Sequence, residues 1–143
     1  MTRRPARSRY RVVATVLLAV YLLALTLIAF WPQHVDRGAG PFLGAIRRVL
    51  PWATYDRVEF ASNVLLFVPL GLLLMLSVGY AWKVLLTGFA ATVAIELVQA
   101  LLPDRTSSVL DVIANTSGTV LGIVLAVIGV ELFSSRFRER RTA

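Results

Sequence analysis

Six polar side chains stand in otherwise apolar surroundings: Asn63, Glu96, Gln99, Arg105, Asp111 and Asn115. They offer two carboxylates, three amides and a guanidinium. Such groups bind the hydroxyls, amides and cations of a polar ligand, and a carboxyl held protonated suits acid–base work. Glu96 and Gln99 are spaced i,i+3, and Asp111 and Asn115 i,i+4, so each pair shares one helix face. No nucleophile set or phosphate loop accompanies them. There is no cysteine and one histidine, His34, which rules out disulfides, thiolate metal sites and a multi-histidine site within one chain. No catalytic residue, metal site or cofactor is assigned on this pattern. His34 itself reads as a surface residue.

The elements that must position these groups are membrane spans. Of 143 residues, 57% are hydrophobic and 16% charged, with a mean hydropathy of +0.74. A soluble domain of this size needs more polar surface, and a span needs about 20 predominantly apolar residues. Four stretches qualify, at about 12–31, 60–82, 84–102 and 109–132. They predict an all-α, four-helix transmembrane bundle over 12–132. It is flanked by a basic N-terminus, 1–11, and a basic tail, 133–143. The first apolar run is longer than a signal-peptide core of about 7–15 residues. It reads as an uncleaved helix ending at Trp31-Pro32, with Trp31 as an interfacial aromatic.

Details of the pattern refine the elements. Pro69 removes a backbone donor and frees the carbonyl of Leu65, which predicts a kink. Gly71 admits a close neighbour, and Lys83 marks a short turn. Pro103 ends the third span. Ser108-Val-Leu-Asp111 resembles a capping box for the fourth. Gly118 and Gly122 form a small-xxx-small pair, packing either within the bundle or against a second copy of the chain. In the long loop, Phe42, Leu43, Ile46, Val49 and Leu50 oppose Arg47 and Arg48 on a helical wheel, and Pro51 stops the pattern. That segment is either a short interfacial helix or an amphipathic loop packed on the bundle. Asp56, Arg57 and Glu59 are either a solvated charge run or part of a pocket rim.

The net charge of +7 does not indicate nucleic acid, because the basic residues bracket the spans. With both termini inside, ten Lys and Arg face the cytoplasm: five before the first span, Lys83, and four in the tail. Five face outward: Arg37, Arg47, Arg48, Arg57 and Arg105. The bias favours an N-in, C-in protein of the inner membrane. A rise of about 1.5 Å per residue then puts Glu96 and Asn115 about 9 Å below the outer surface. Asn63, Gln99 and Asp111 lie at roughly 3–5 Å by the same measure, with Arg105 in the turn above as countercharge.

Two readings fit this common level. The six residues are interhelical glue, each bond contributing about 0.6–2 kcal/mol. Alternatively, they line a pocket open to the outer leaflet. Ionisable groups within spans favour the second reading, since the bilayer core penalises them by roughly 2.5–3.5 kcal/mol.

The motifs also resemble a known family. Asp56-Arg57-x5-Asn63-x-Leu65-Leu66-Phe67-x-Pro69-Leu70-Gly71 is followed by Glu96-x2-Gln99-x5-Arg105-x5-Asp111-x3-Asn115-x2-Gly118-x3-Gly122. In combination these resemble the VanZ-like family of bacterial membrane proteins, over roughly residues 12–130. The chain departs from the family's pattern at Thr106–Leu110, where an aromatic or acidic residue is expected. The resemblance implies a cell-envelope role linked to resistance to the glycopeptide teicoplanin. Its partners would be membrane lipids and a lipid-linked or glycopeptide ligand. It carries over no catalytic residue. Two other classes stay open: a membrane-embedded enzyme acting on a lipid head group through Glu96 or Asp111, and a small proton-coupled exporter. The uncharged first span ranks the exporter last.

Overall fold

A computed structural model describes residues 5–29, 44–45, 48–101 and 108–142. Four helices follow one another: α1 (Pro5–Ala29), α2 (Tyr55–Val78), α3 (Ala81–Gln99) and α4 (Val109–Thr142). Each is long and apolar enough to cross a membrane, and there is no strand among the described residues. The fold class expected from the sequence is the one observed. Of the segment expected to form an interfacial helix, only part is described. Gly44, Ala45, Arg48 and Val49 are helical and exposed, whereas Arg47 lies outside the described residues, as do Trp31 and His34.

The boundaries differ from the hydropathy reading in instructive ways. α2 begins five residues before Phe60 and takes in Asp56, Arg57 and Glu59. Asp56 in its first turn complements the positive end of the helix dipole. Arg57 donates to the carbonyl of Trp52 at 2.9 Å, fastening that turn to the preceding loop. At the other end α2 stops at Gly79, not at Lys83. Gly79 adopts φ 81°, and its N–H bonds the carbonyl of Met75 at 2.9 Å. This left-handed cap suits a residue without Cβ. Trp82 and Lys83 therefore start α3, where the Lys83 ammonium lies 4.9 Å from the Tyr80 ring centre and 5.5 Å from that of Trp82. α4 continues past Leu132 into the basic tail as one helix. α2 continues through Pro69 as one helix. Near it, the Tyr21 hydroxyl donates to the carbonyl of Leu66, one residue beyond the carbonyl that proline frees.

Most apolar side chains on these helices point outward, among them Leu65, Leu86, Leu97 and Phe133. Lipid is as apolar as leucine, so burying such groups adds little; packing and polar bonds must hold the helices together. The interior is small: Leu18 and Leu25 of α1, Phe67, Leu70 and Leu74 of α2, and Val84 of α3. α2 and α4 form the central pair, and glycine lets them meet. A Cβ on Gly71 would lie 2.2 Å from the Thr119 carbonyl oxygen, one on Gly118 2.2 Å from that of Val64, and one on Gly122 2.2 Å from that of Val68. α3 packs beside this pair, with Gly88 against the side chain of Thr119. α1 leans on α2. Arg11 donates to the carbonyl of Ser77 through Nε at 3.0 Å and Nη2 at 2.8 Å, satisfying a free carbonyl of the last turn of α2.

The helices run antiparallel in sequence. One end of the bundle, the loop end, holds the junction between α3 and α4. The other, the terminal end, holds the start of α1 and the end of α4.

Candidate functional site

The site is built around the first three turns of α4 at the loop end. Ser108 caps the helix: its Oγ accepts the N–H of Leu110 at 3.1 Å. In a reciprocal capping box, the carboxylate at Asp111 would take the N–H of Ser108. Here another helix supplies that group. Glu96 of α3 accepts the Ser108 N–H through Oε2 at 2.9 Å. Asp111 is thereby free to face α2, where its Oδ1 accepts Nδ2 of Asn63 at 2.7 Å. The box anticipated from the sequence is thus opened, and its two halves become contacts between three helices.

One turn deeper, Asn115 is 4% exposed and donates through Nδ2 to Oγ1 of Thr92 at 2.8 Å. Its backbone carbonyl accepts the Thr119 hydroxyl at 3.0 Å. Thr92 and Thr119 are wholly buried. Glu96 on Ser108, Thr92 on Asn115 and Gly88 on Thr119 therefore form three successive levels between α3 and α4.

Asn63, Glu96, Asp111 and Asn115 are thus all engaged at or below the start of α4. Gln99 is not. Its amide donates to the carbonyl of Ala29 at 2.9 Å, tying the end of α3 to the end of α1. Arg105 lies outside the described residues. Gln99→Leu is expected to loosen α1 by about 0.6–2 kcal/mol. The check is faster amide exchange confined to the last turn of α1, with α4 unchanged; equal loosening of α4 would contradict this division of roles.

Thr92 and Thr119 were not singled out from the sequence. The signal was present. Thr92 lies four residues before Glu96, and Thr119 four after Asn115, so the i,i+4 rule extends both polar faces one turn deeper.

Two buried oxygens, Oδ1 of Asn115 and Oγ1 of Thr116, find no hydrogen-bond partner among the described residues. Such an orphan costs about 1–3 kcal/mol. The arrangement therefore presents carboxylates near the end of the bundle and unsatisfied acceptors beneath them. Chemically it suits a ligand that donates hydrogen bonds: hydroxyls, amides or an ammonium. No three His, Cys, Asp or Glu residues among the described ones group to hold a metal.

Fold and site together define a small multi-pass helical membrane protein with a polar cluster at one end of its bundle. The chain belongs to the VanZ/LLP1 family, whose model matches residues 15–130. No curated protein and no solved structure matches it.

Proposed function

We propose that this is a plasma-membrane protein of the bacterial cell envelope, N-in and C-in, whose loop-end cluster faces outward. There it binds the polar part of a lipid-linked or glycopeptide ligand and contributes to teicoplanin resistance. The observation that carries this reading is the pair of orphaned acceptors on Asn115 and Thr116 below Asp111. Contact with Thr92 accounts for the Asn115 amide nitrogen but leaves its oxygen and the Thr116 hydroxyl unused, each at the penalty of a buried orphan. A bound hydroxyl or amide donor offsets it. The distribution of Lys and Arg supports the outward placement. The resistance role rests on the family resemblance.

The test is survival in teicoplanin of a sensitive bacterium expressing the chain, compared with a Glu96→Gln, Asp111→Asn double variant. Both substitutions keep an acceptor oxygen for the helix contacts and remove charge. The wild type should protect, and the double variant should not, at equal amounts in the membrane fraction. Equal protection by both would end the pocket reading. A reporter enzyme fused after Ala143 that proved active outside the cell would overturn the orientation.

A further inference from the structure

A second candidate site lies at the opposite end of the molecule from the loop-end cluster. A cavity of about 570 Å³ opens between the start of α1, the end of α2 and the second half of α4. Its volume is in the range of about 300–1,000 Å³ usual for small-ligand sites. Tyr10, Arg11, Tyr80 and Glu131 supply its polar lining, and Met75 and Val127 are among its apolar wall.

The charges are the informative feature. Arg11 and Glu131 line one cavity, yet they form no ion pair among the described residues. A guanidinium has five N–H donors. Two of those on Arg11 go to the Ser77 carbonyl, which fixes the group in place and leaves three for another acceptor. Glu131 offers an anion across the same space. A ligand complementary to both is a zwitterion, with an acidic oxygen cluster for the fixed guanidinium and an ammonium for the carboxylate. The Met75 and Val127 wall then takes an apolar chain. Tyr10 and Tyr80 flank the opening as interfacial aromatics do.

We propose that this cavity binds an aminophospholipid of the leaflet at the terminal end. Its phosphate sits on Arg11, its primary ammonium on Glu131, and an acyl chain lies against α2 and α4. A primary ammonium is favoured over a quaternary one for two reasons. It donates hydrogen bonds to Glu131, which a trimethylammonium cannot. Cation–π capture by Tyr80 is pre-empted, since the Lys83 ammonium already lies over that ring.

The experiment is native mass spectrometry of the full chain released from micelles holding equal phosphatidylethanolamine, phosphatidylcholine and phosphatidylglycerol. The wild type should retain phosphatidylethanolamine preferentially. Glu131→Gln, an exposed position, should lose that preference by about tenfold while keeping phosphatidylglycerol. Arg11→Gln should lose both. If Arg11→Gln proves unstable, Glu131→Gln decides alone. The proposal is overturned by retention of the three lipids alike, by a preference for phosphatidylglycerol in the wild type, or by a Glu131→Gln variant that still prefers phosphatidylethanolamine. None of these outcomes touches the loop-end cluster.

Discussion

Gly118→Ala and Gly122→Ala will each destabilise the protein by about 1–3 kcal/mol, and the upper end of that range is expected. The new methyl meets a backbone oxygen at 2.2 Å in both cases, on Val64 and Val68. A side chain could rotate away; a carbonyl in the middle of α2 cannot without breaking its own helix bond. Alanine also raises helix propensity by about 1 kcal/mol over glycine, so the clash must exceed that gain to show. Gly129 supplies the control on the same helix. A Cβ there meets nothing within 4 Å, so Gly129→Ala should stabilise by about 0.5–1 kcal/mol. Unfolding in mixed micelles, followed by circular dichroism, measures all three. If Gly118→Ala and Gly129→Ala shifted the midpoint in the same direction, α2 and α4 would not meet where described.

Glu96→Leu, a change on α3, is expected to break the Asn63–Asp111 bond between α2 and α4. Glu96 is 7% exposed and holds the Ser108 N–H. Its loss strands that amide, at about 1–3 kcal/mol. The alternative partner is Asp111, in the position a capping box uses. If Asp111 turns back to Ser108, it must leave Asn63. Asn63→Leu should therefore cost far less in a Glu96→Leu background than in the wild type. Such coupling between residues that share no contact is read from a double-mutant cycle. Additive costs would show that Asp111 stays with Asn63 and that the two contacts are independent. The conservative Glu96→Gln should preserve the fold and the coupling, since an amide oxygen still accepts the Ser108 N–H.

These expectations also separate structure from function at one locus. Glu96→Leu removes both the helix contact and the charge, whereas Glu96→Gln removes the charge only. Loss of teicoplanin protection in the Gln variant with unchanged stability would assign the carboxylate to the ligand and not to the scaffold.

Membrane character was legible in the chain because it depends on length and hydropathy alone. Four predominantly apolar runs near 20 residues, the first two without any charge, have no other use for so much apolar surface. The residue types of the polar cluster were legible for the same reason: against an apolar background each carboxylate or amide stands out. Their relative levels were harder to read: counting at a fixed helical rise put Glu96 level with Asn115, whereas Glu96 meets Ser108 and it is Thr92, a turn deeper on α3, that meets Asn115. Helix ends were less legible. Hydropathy does not register Gly79, whose left-handed φ ends α2, or the polar turn from Asp56 to Glu59 that begins it.

Partner choice is where counting residues fails. Gln99 shares a face with Glu96, but its amide reaches Ala29 of α1. Asp111 was three residues from its natural capping partner, yet it bonds Asn63, 48 residues away. Periodicity assigns a residue to a face of its own helix; which helix covers that face depends on crossing geometry set elsewhere. Here it is set by Gly71, Gly118 and Gly122, which bring α2 and α4 to backbone contact. Local sequence thus dictated that the chain crosses the membrane four times and that its polar groups would need shelter. The three-dimensional packing chose who shelters whom, because a hydrogen bond forms with whichever group is brought near, however remote along the chain.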